Sequence, residues 1–142
     1  MAGRRKCFTF LDHTADLRIR ITGPTLEDLF RNAGLSLMEI MLGKRPRLKT
    51  SPQHLSLSGD DLPDLMVRWL GEILYLLDGE NKVVMDIEIN AISEMHLDAA
   101  LHTVPLDPRT HQVITEIKAA TYHQIQVAPT GNGWQATVIF DI

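Results

Sequence analysis

Between Leu62 and Leu77 apolar side chains fall at Leu62, Leu65, Met66, Trp69, Leu70, Ile73, Leu74 and Leu77. Steps of three and four residues put them on one face of a helix, and the stripe they form is wide. Asp60 and Asp61 can cap the start, and Pro63 is tolerated in the first turn. Asp78-Gly79-Glu80-Asn81 ends the run. The stripe reads as core and not as a cofactor box. What the rest of the chain can lay against it decides the fold.

A second helical run comes earlier. Leu26, Leu29, Phe30, Ala33, Leu37, Met38 and Met41 repeat at the same spacing. Thr25 stands three residues before Asp28, much like a capping box, and Gly43 is a plausible stop. Around the helices the period changes to two. Leu17-Arg18-Ile19-Arg20-Ile21 alternates, with Arg18 and Arg20 facing out, and Gly23-Pro24 breaks it. Cys7 to Leu11 reads as a strand before it. Arg45 to Ser58 looks extended, and Pro46 and Pro52 place any strand there at an edge. Lys82 to Ile89 and Met95 to Thr103 read as strands around a turn at Asn90 to Glu94. Val104 to Arg109, with two prolines, reads as a loop. Gln124 to Ala128 and Trp134 to Phe140 flank Thr130-Gly131-Asn132-Gly133, a hairpin signal. Helices are segregated from strands instead of alternating with them. The class is α+β: one compact domain over residues 1–142, two helices packed on mainly antiparallel sheet.

Composition narrows the function. At 142 residues with 44% hydrophobic and 23% charged, the chain suits one soluble globule. The single cysteine, Cys7, allows no internal disulfide and fits a reducing compartment; it reads as strand packing. No run approaches the roughly 18 apolar residues that span a membrane. Arg4-Arg5-Lys6 has no apolar stretch behind it and is no signal peptide, so a cytoplasmic place is expected. A net charge of −4 argues against a dedicated nucleic-acid binder. Two basic clusters, residues 4–6 and the Lys44–Lys49 loop, read as a frayed terminus and a solvated loop, with a docking patch for an acidic partner or RNA as the alternative. No phosphate-binding glycine loop, nucleophile elbow or kinase set is visible, so no intrinsic nucleotide-binding motif is found.

The chemistry sits at the two ends. Asp12-His13-Thr14-Ala15-Asp16 carries a carboxylate at each end, and Asp141-Ile142 adds a side-chain carboxylate beside the main-chain one. If the fold brings these together, hard oxygens converge as in a divalent-cation site. The chain's stopping on a strand suggests that the terminus is used. Taken alone, such acids are more often turn formers, and His13 more often bonds locally than acts as base or ligand. Glu116-Ile117-Lys118-Ala119-Ala120-Thr121-Tyr122-His123 packs a carboxylate, an ammonium, a hydroxyl, a phenol and an imidazole into eight residues. As a strand it would put Glu116, Lys118, Ala120 and Tyr122 on one face and Thr121 and His123 on the other; a plain exposed edge strand is the equal alternative. His54, His96, His102 and His111 have no ligand spacing and read as surface or packing residues.

Phe10-Leu11-Asp12-His13-Thr14-Ala15-Asp16, Thr25-Leu26-Glu27, Glu116 to His123 and the terminal Val138-Ile139-Phe140-Asp141-Ile142 together resemble the archease family, in order and over essentially the whole chain. The resemblance implies a small cytosolic accessory protein, not itself an enzyme, for an RtcB-type RNA ligase. That ligase joins RNA ends bearing a 2′,3′-cyclic or 3′-phosphate to 5′-hydroxyl ends with GTP and a divalent metal, in tRNA splicing or RNA repair. The accessory protein promotes guanylylation of the ligase and its repeated turnover, touching tRNA only indirectly. By motif, Asp16, Asp141 and the carboxylate of Ile142 resemble the family's ligands for a divalent cation. Ca²⁺ comes first, with Mg²⁺ or Mn²⁺ as alternatives, and Asp12 is an additional acid ranked below Asp16. Lys118 resembles a residue needed for activation, and His13, Thr121 and His123 are grouped with it. Two other readings are a metal-binding chaperone or modulator of an RNA-modifying enzyme such as a tRNA methyltransferase, and a metal-dependent phosphoesterase using His13 or His123 as base. The chain departs from the family pattern where a glycine is common: after Asp16 it reads Leu17-Arg18-Ile19, and after His123 it has Gln124. Partner specificity is what these departures bear on.

Overall fold

The computed structural model describes residues 7–12 and 16–142, with the backbone alone at Asp12. Seven strands and two helices follow in the order β1 (Phe8–Asp12), β2 (Asp16–Gly23), α1 (Leu26–Leu42), β3 (Ser51–Ser58), α2 (Leu62–Glu80), β4 (Lys82–Ile92), β5 (His96–Pro105), β6 (Ala119–Thr130) and β7 (Gly133–Asp141). The α+β expectation holds, with the sheet divided in two. One has four strands in the order β1-β2-β7-β6; the other has three in the order β3-β5-β4. Every pairing is antiparallel.

The helices begin where the capping chemistry puts them. Thr25 Oγ1 accepts the N–H of Asp28 at 3.1 Å and donates to its carboxylate at 2.9 Å. Gly43 ends α1 at φ 68°, returning its N–H to Glu39 O at 2.7 Å. Asp61 caps α2 by accepting from Asp64 N at 2.9 Å. α2 ends within the expected Asp78–Asn81 stop: the helix runs to Glu80, and Asn81, at φ 54°, closes it. The wide stripe of α2 is buried from Leu65 to Leu77. Both helices touch both sheets, so they bridge the two instead of covering one. Fully buried Trp69 donates its indole N–H to Phe30 O at 2.8 Å and locks α2 to α1.

Strand boundaries moved in predictable places. β4 runs on to Ile92 and shortens the expected turn, since Ser93 N can still bond His96 O across it at 2.8 Å. β5 extends to Pro105, where a proline costs no ladder bond because the strand is ending. β3, with Pro52, is an edge strand as expected. In β2 Leu17, Ile19, Ile21 and Gly23 are buried, which leaves Arg18 and Arg20 on the outer face. Cys7 stands just before β1, half-buried, with Sγ 3.3 Å from Ser36 Oγ. Among the described residues no helix is long and apolar enough to cross a membrane.

Candidate functional site

Pairing of β2 with β7 answers whether the two ends of the chain meet. Their register sets Asp16 opposite Asp141, Leu17 opposite Phe140 and Arg18 opposite Ile139. Opposed residues in an antiparallel ladder put their side chains on the same face, with β-carbons about 5 Å apart. The register follows from the burial pattern. Leu17, Ile19 and Ile21 must face the helices alongside Phe140, Val138 and Ala136, and a slip of one residue would turn both rows to water. Apolar packing thus fixes two carboxylates side by side at the rim of the sheet.

On the other flank β6 pairs with β7, placing Ala119 opposite Asp141. Asp16, Asp141 and Ala119 form a row across three strands. Lys118 lies one residue outside it, exposed, and its N–H donates to Asp141 O at 2.8 Å. Ile117 beside it is buried and anchors the segment. The single-strand reading of Glu116 to Tyr122 therefore needs correction: the strand starts at Ala119, so Glu116 and Lys118 precede it and share no strand face with Tyr122. The backbone between His111 and Lys118 is instead held as a loop against the end of α1, with Ile114 N on Met41 O at 2.7 Å.

The other candidates divide. Thr121 spends its hydroxyl on Ile139 O at 2.9 Å, a sheet-building bond. His123 is exposed in the next stretch of β6. Asp12 enters the sheet opposite Arg18 through its backbone, but its side chain and all of His13 lie outside the described residues. Ile142 follows Asp141 and is exposed. Among the described residues no three His, Cys, Asp or Glu side chains gather closely enough to hold a metal by themselves.

Of the histidines read as surface or packing, three line the outer face of the three-stranded sheet. His96 Nε2 is 3.2 Å and His54 Nε2 3.9 Å from the Asp98 carboxylate, and His102 Nε2 is 3.6 Å from Glu88. His111 is buried, with Nδ1 accepting the Asp107 N–H at 2.9 Å.

One polar network had no forerunner in the sequence. Asp64, in the first turn of α2, accepts from Tyr122 Oη at 2.7 Å, Arg68 Nε at 2.8 Å and the Asp60 N–H at 2.8 Å. These bonds, the tyrosine hydroxyl foremost, hold its carboxyl down at about 2, and the same contact raises the Tyr122 phenol above its ordinary value. The i,i+4 spacing of Asp64 and Arg68 was visible; a partner 58 residues further on was not.

The chain matches the model of the archease protein family over residues 8–142, and it belongs to that family. It is 32% identical to the archease of Methanosarcina barkeri over 146 residues, with all of both chains covered. It is 34% identical to that of Saccharolobus islandicus over 139 residues, covering 96% of this chain and 99% of the relative. A protein of Methanobacterium thermoautotrophicum, solved in solution, superposes with a TM-score of 0.72 at 25% identity, over 97% of this chain and 100% of that one. A crystal structure from Thermotoga maritima, described as an archease and possible chaperone, gives 0.64 at 21% identity with full coverage of both.

Proposed function

We propose that this archease-family chain is an accessory factor in RNA end joining: it activates an RtcB-type ligase, promoting guanylylation and multiple turnover, through a divalent cation held at the Asp16–Asp141 rim. The observation that carries the reading is the register of β2 on β7, which seats Asp16 against Asp141; from the other flank of β7 the Lys118 N–H hangs on the Asp141 carbonyl. The sequence resemblance assigns roles to those same three residues. It rested on segments about a hundred residues apart, and nothing in it required them to be neighbours.

The donor chemistry suits a hard cation: two carboxylates opposed on one face of the sheet, with Ca²⁺ first and Mg²⁺ or Mn²⁺ behind it. Asp16, Asp141 and the terminal carboxylate of Ile142 would hold it, with Asp12 as a further acid. When bound, the cation supplies fixed positive charge between groups that otherwise repel. The chain's own residues do the rest. Asp16 and Asp141 present oxygens on a rigid ladder. Lys118, fixed through its backbone and with no hydrogen bond or ion pair at its tip among the described residues, offers an ammonium as a point donor to a phosphate or carboxylate of the ligase.

The test is a multiple-turnover ligation of 2′,3′-cyclic-phosphate and 5′-hydroxyl RNA by an RtcB-type ligase with GTP, with and without this protein. Turnover and ligase guanylylation should both rise, and Asp16→Ala and Lys118→Ala should each lose the effect. No change on adding the native protein sinks the reading. Protection of a ligase or tRNA methyltransferase from heat, with guanylylation unmoved, would point instead to the chaperone role named for the Thermotoga maritima structure. Hydrolysis of a phosphoester by the isolated protein with metal would point to an enzyme.

A further inference from the structure

From Thr121 to Gln126 the edge strand β6 advances five residues while β7 advances only two, from Ile139 to Thr137. Residues 122–125 are an excursion from the ladder, a large bulge on an otherwise regular edge. Left alone, such a segment would sample many conformations. It is tied on both sides.

On the helix side, Tyr122 donates its hydroxyl to Asp64 Oδ1 at 2.7 Å. Asp64 is a fixed acceptor: Arg68 and the Asp60 N–H hold its other oxygen at 2.8 Å each, and its side chain is only 12% exposed. On the outer side, the Arg18 guanidinium donates to Gln124 Oε1. Gln124 itself sits at φ 52°, the left-handed region that a side chain enters against steric cost. A glycine would lie there more easily, but it could not take the bond from Arg18. His123 stands between the two tethers, exposed, with no hydrogen bond or ion pair on its ring among the described residues. The backbone at His123 is therefore held by its neighbours, and the ring is left open to a partner.

We propose that Asp64, Tyr122, Arg18 and Gln124 are positioning residues: two side-chain tethers hold the 122–125 bulge so that His123 stands off the sheet at a fixed place, on the strand that opens beside Lys118, where the partner ligase meets both. The docking half of this rests on the reading of the protein as a ligase activator. Its physical content is preorganisation. A bulge already ordered does not have to be ordered on binding, so the tethers should show in the concentration needed for activation and not in the maximal effect.

Two variants test it in the full chain. Tyr122→Phe keeps the ring and removes the donor. Gln124→Gly relaxes the backbone and removes the acceptor. In each, amide exchange at His123 and Gln124 should quicken about tenfold, and the half-saturating concentration in the ligation assay should rise about tenfold, the weight of one charge-assisted hydrogen bond. The activation plateau should stay near that of the native protein, with melting temperatures lowered by a few degrees at most so that both variants are folded in the assay, whereas a merely structural role would lower the plateau along with the folded fraction. Unchanged exchange in both variants overturns the tethers, whatever the ligase does. Quickened exchange with an unchanged half-saturating concentration, while Asp16→Ala still abolishes activation, overturns the docking role and leaves the activator reading intact. If the native protein does not activate at all, the activator reading and the docking role fall together, and exchange alone judges the tethers.

Discussion

Removing one carboxylate from the rim should make the protein more stable without a cation and indifferent to its addition. Asp16 and Asp141 are direct ladder partners. Like charges so placed cost roughly 0.2–1 kcal/mol at a sheet surface. A chain of 142 residues unfolds with an entropy near 0.3 kcal/mol per degree, at about 2.1 cal/mol/K per residue. Relief of the repulsion in Asp16→Asn should therefore raise the melting temperature by about 1–3 °C in a chelated buffer. A cation at a hundred times its dissociation constant adds about 2.7 kcal/mol to the native protein, or roughly 9 °C. The increment in Asp16→Asn should shrink to within a degree or two.

The assay is calorimetric melting of both proteins in chelator, then with CaCl₂ or MgCl₂, at constant ionic strength set with KCl. Holding ionic strength matters, because plain screening would also ease the repulsion and imitate a small part of the effect. Equal increments in the two proteins would refute the assignment of Asp16, and no increment in either would refute the cation site. A third arm appends a few residues after Ile142. A reduced increment there would assign the terminal carboxylate to the site; a full one would remove it.

Three further outcomes follow from the packing and the charges. The Asp64 carboxyl, held near 2 against an ordinary 3.8, contributes stability above about pH 4 that is lost as pH falls through about 2; urea midpoints of native and Asp64→Asn protein should converge over that window, and a constant gap would refute the network. Gly133→Ala should cost about 1–3 kcal/mol by urea titration, since its β-carbon would lie 2.5 Å from the Gly23 carbonyl oxygen, whereas Gly131→Ala, with open space around it, should fall within about 0.5 kcal/mol of native. Trp69→Phe should cost about 2–3 kcal/mol, from one buried hydrogen bond near 1 kcal/mol and about two buried ring carbons at roughly 0.8 each, and a loss under 1 kcal/mol would show that α1 and α2 are not joined there.

What was legible in the sequence tracks how local each cause is. Thr25 with Asp28 and Asp61 with Asp64 are three residues apart, so both helix starts could be read directly. The alternation of Leu17, Ile19 and Ile21 fixed the faces of β2 and, through them, the outward position of Arg18. The register that seats Asp16 on Asp141 is set by apolar rows on two strands far apart in the chain, each readable, but not their alignment. The strand start at Ala119 was missed for a related reason. Residues 116–118 carry a strand-like mix of side chains, yet only the Lys118 N–H reaches β7, at Asp141 O, and just upstream the N–H groups of Ile114 and Thr115 turn to Met41 O at the end of α1. The Asp64–Tyr122 and Arg18–Gln124 bonds were the least legible, because each joins residues that look self-sufficient: an acid with its own i,i+4 arginine, and an outward arginine on an amphipathic strand. Only Gln124 left a trace, as a glutamine where the family resemblance leads one to expect a glycine. The backbone there turns to φ 52°, which accounts for a glycine; the Arg18 bond accounts for the glutamine. The departure that first bore on partner specificity thus falls on the segment that holds His123, so Gln124→Gly tests whether this chain's own way of fixing the bulge matters to the partner it serves.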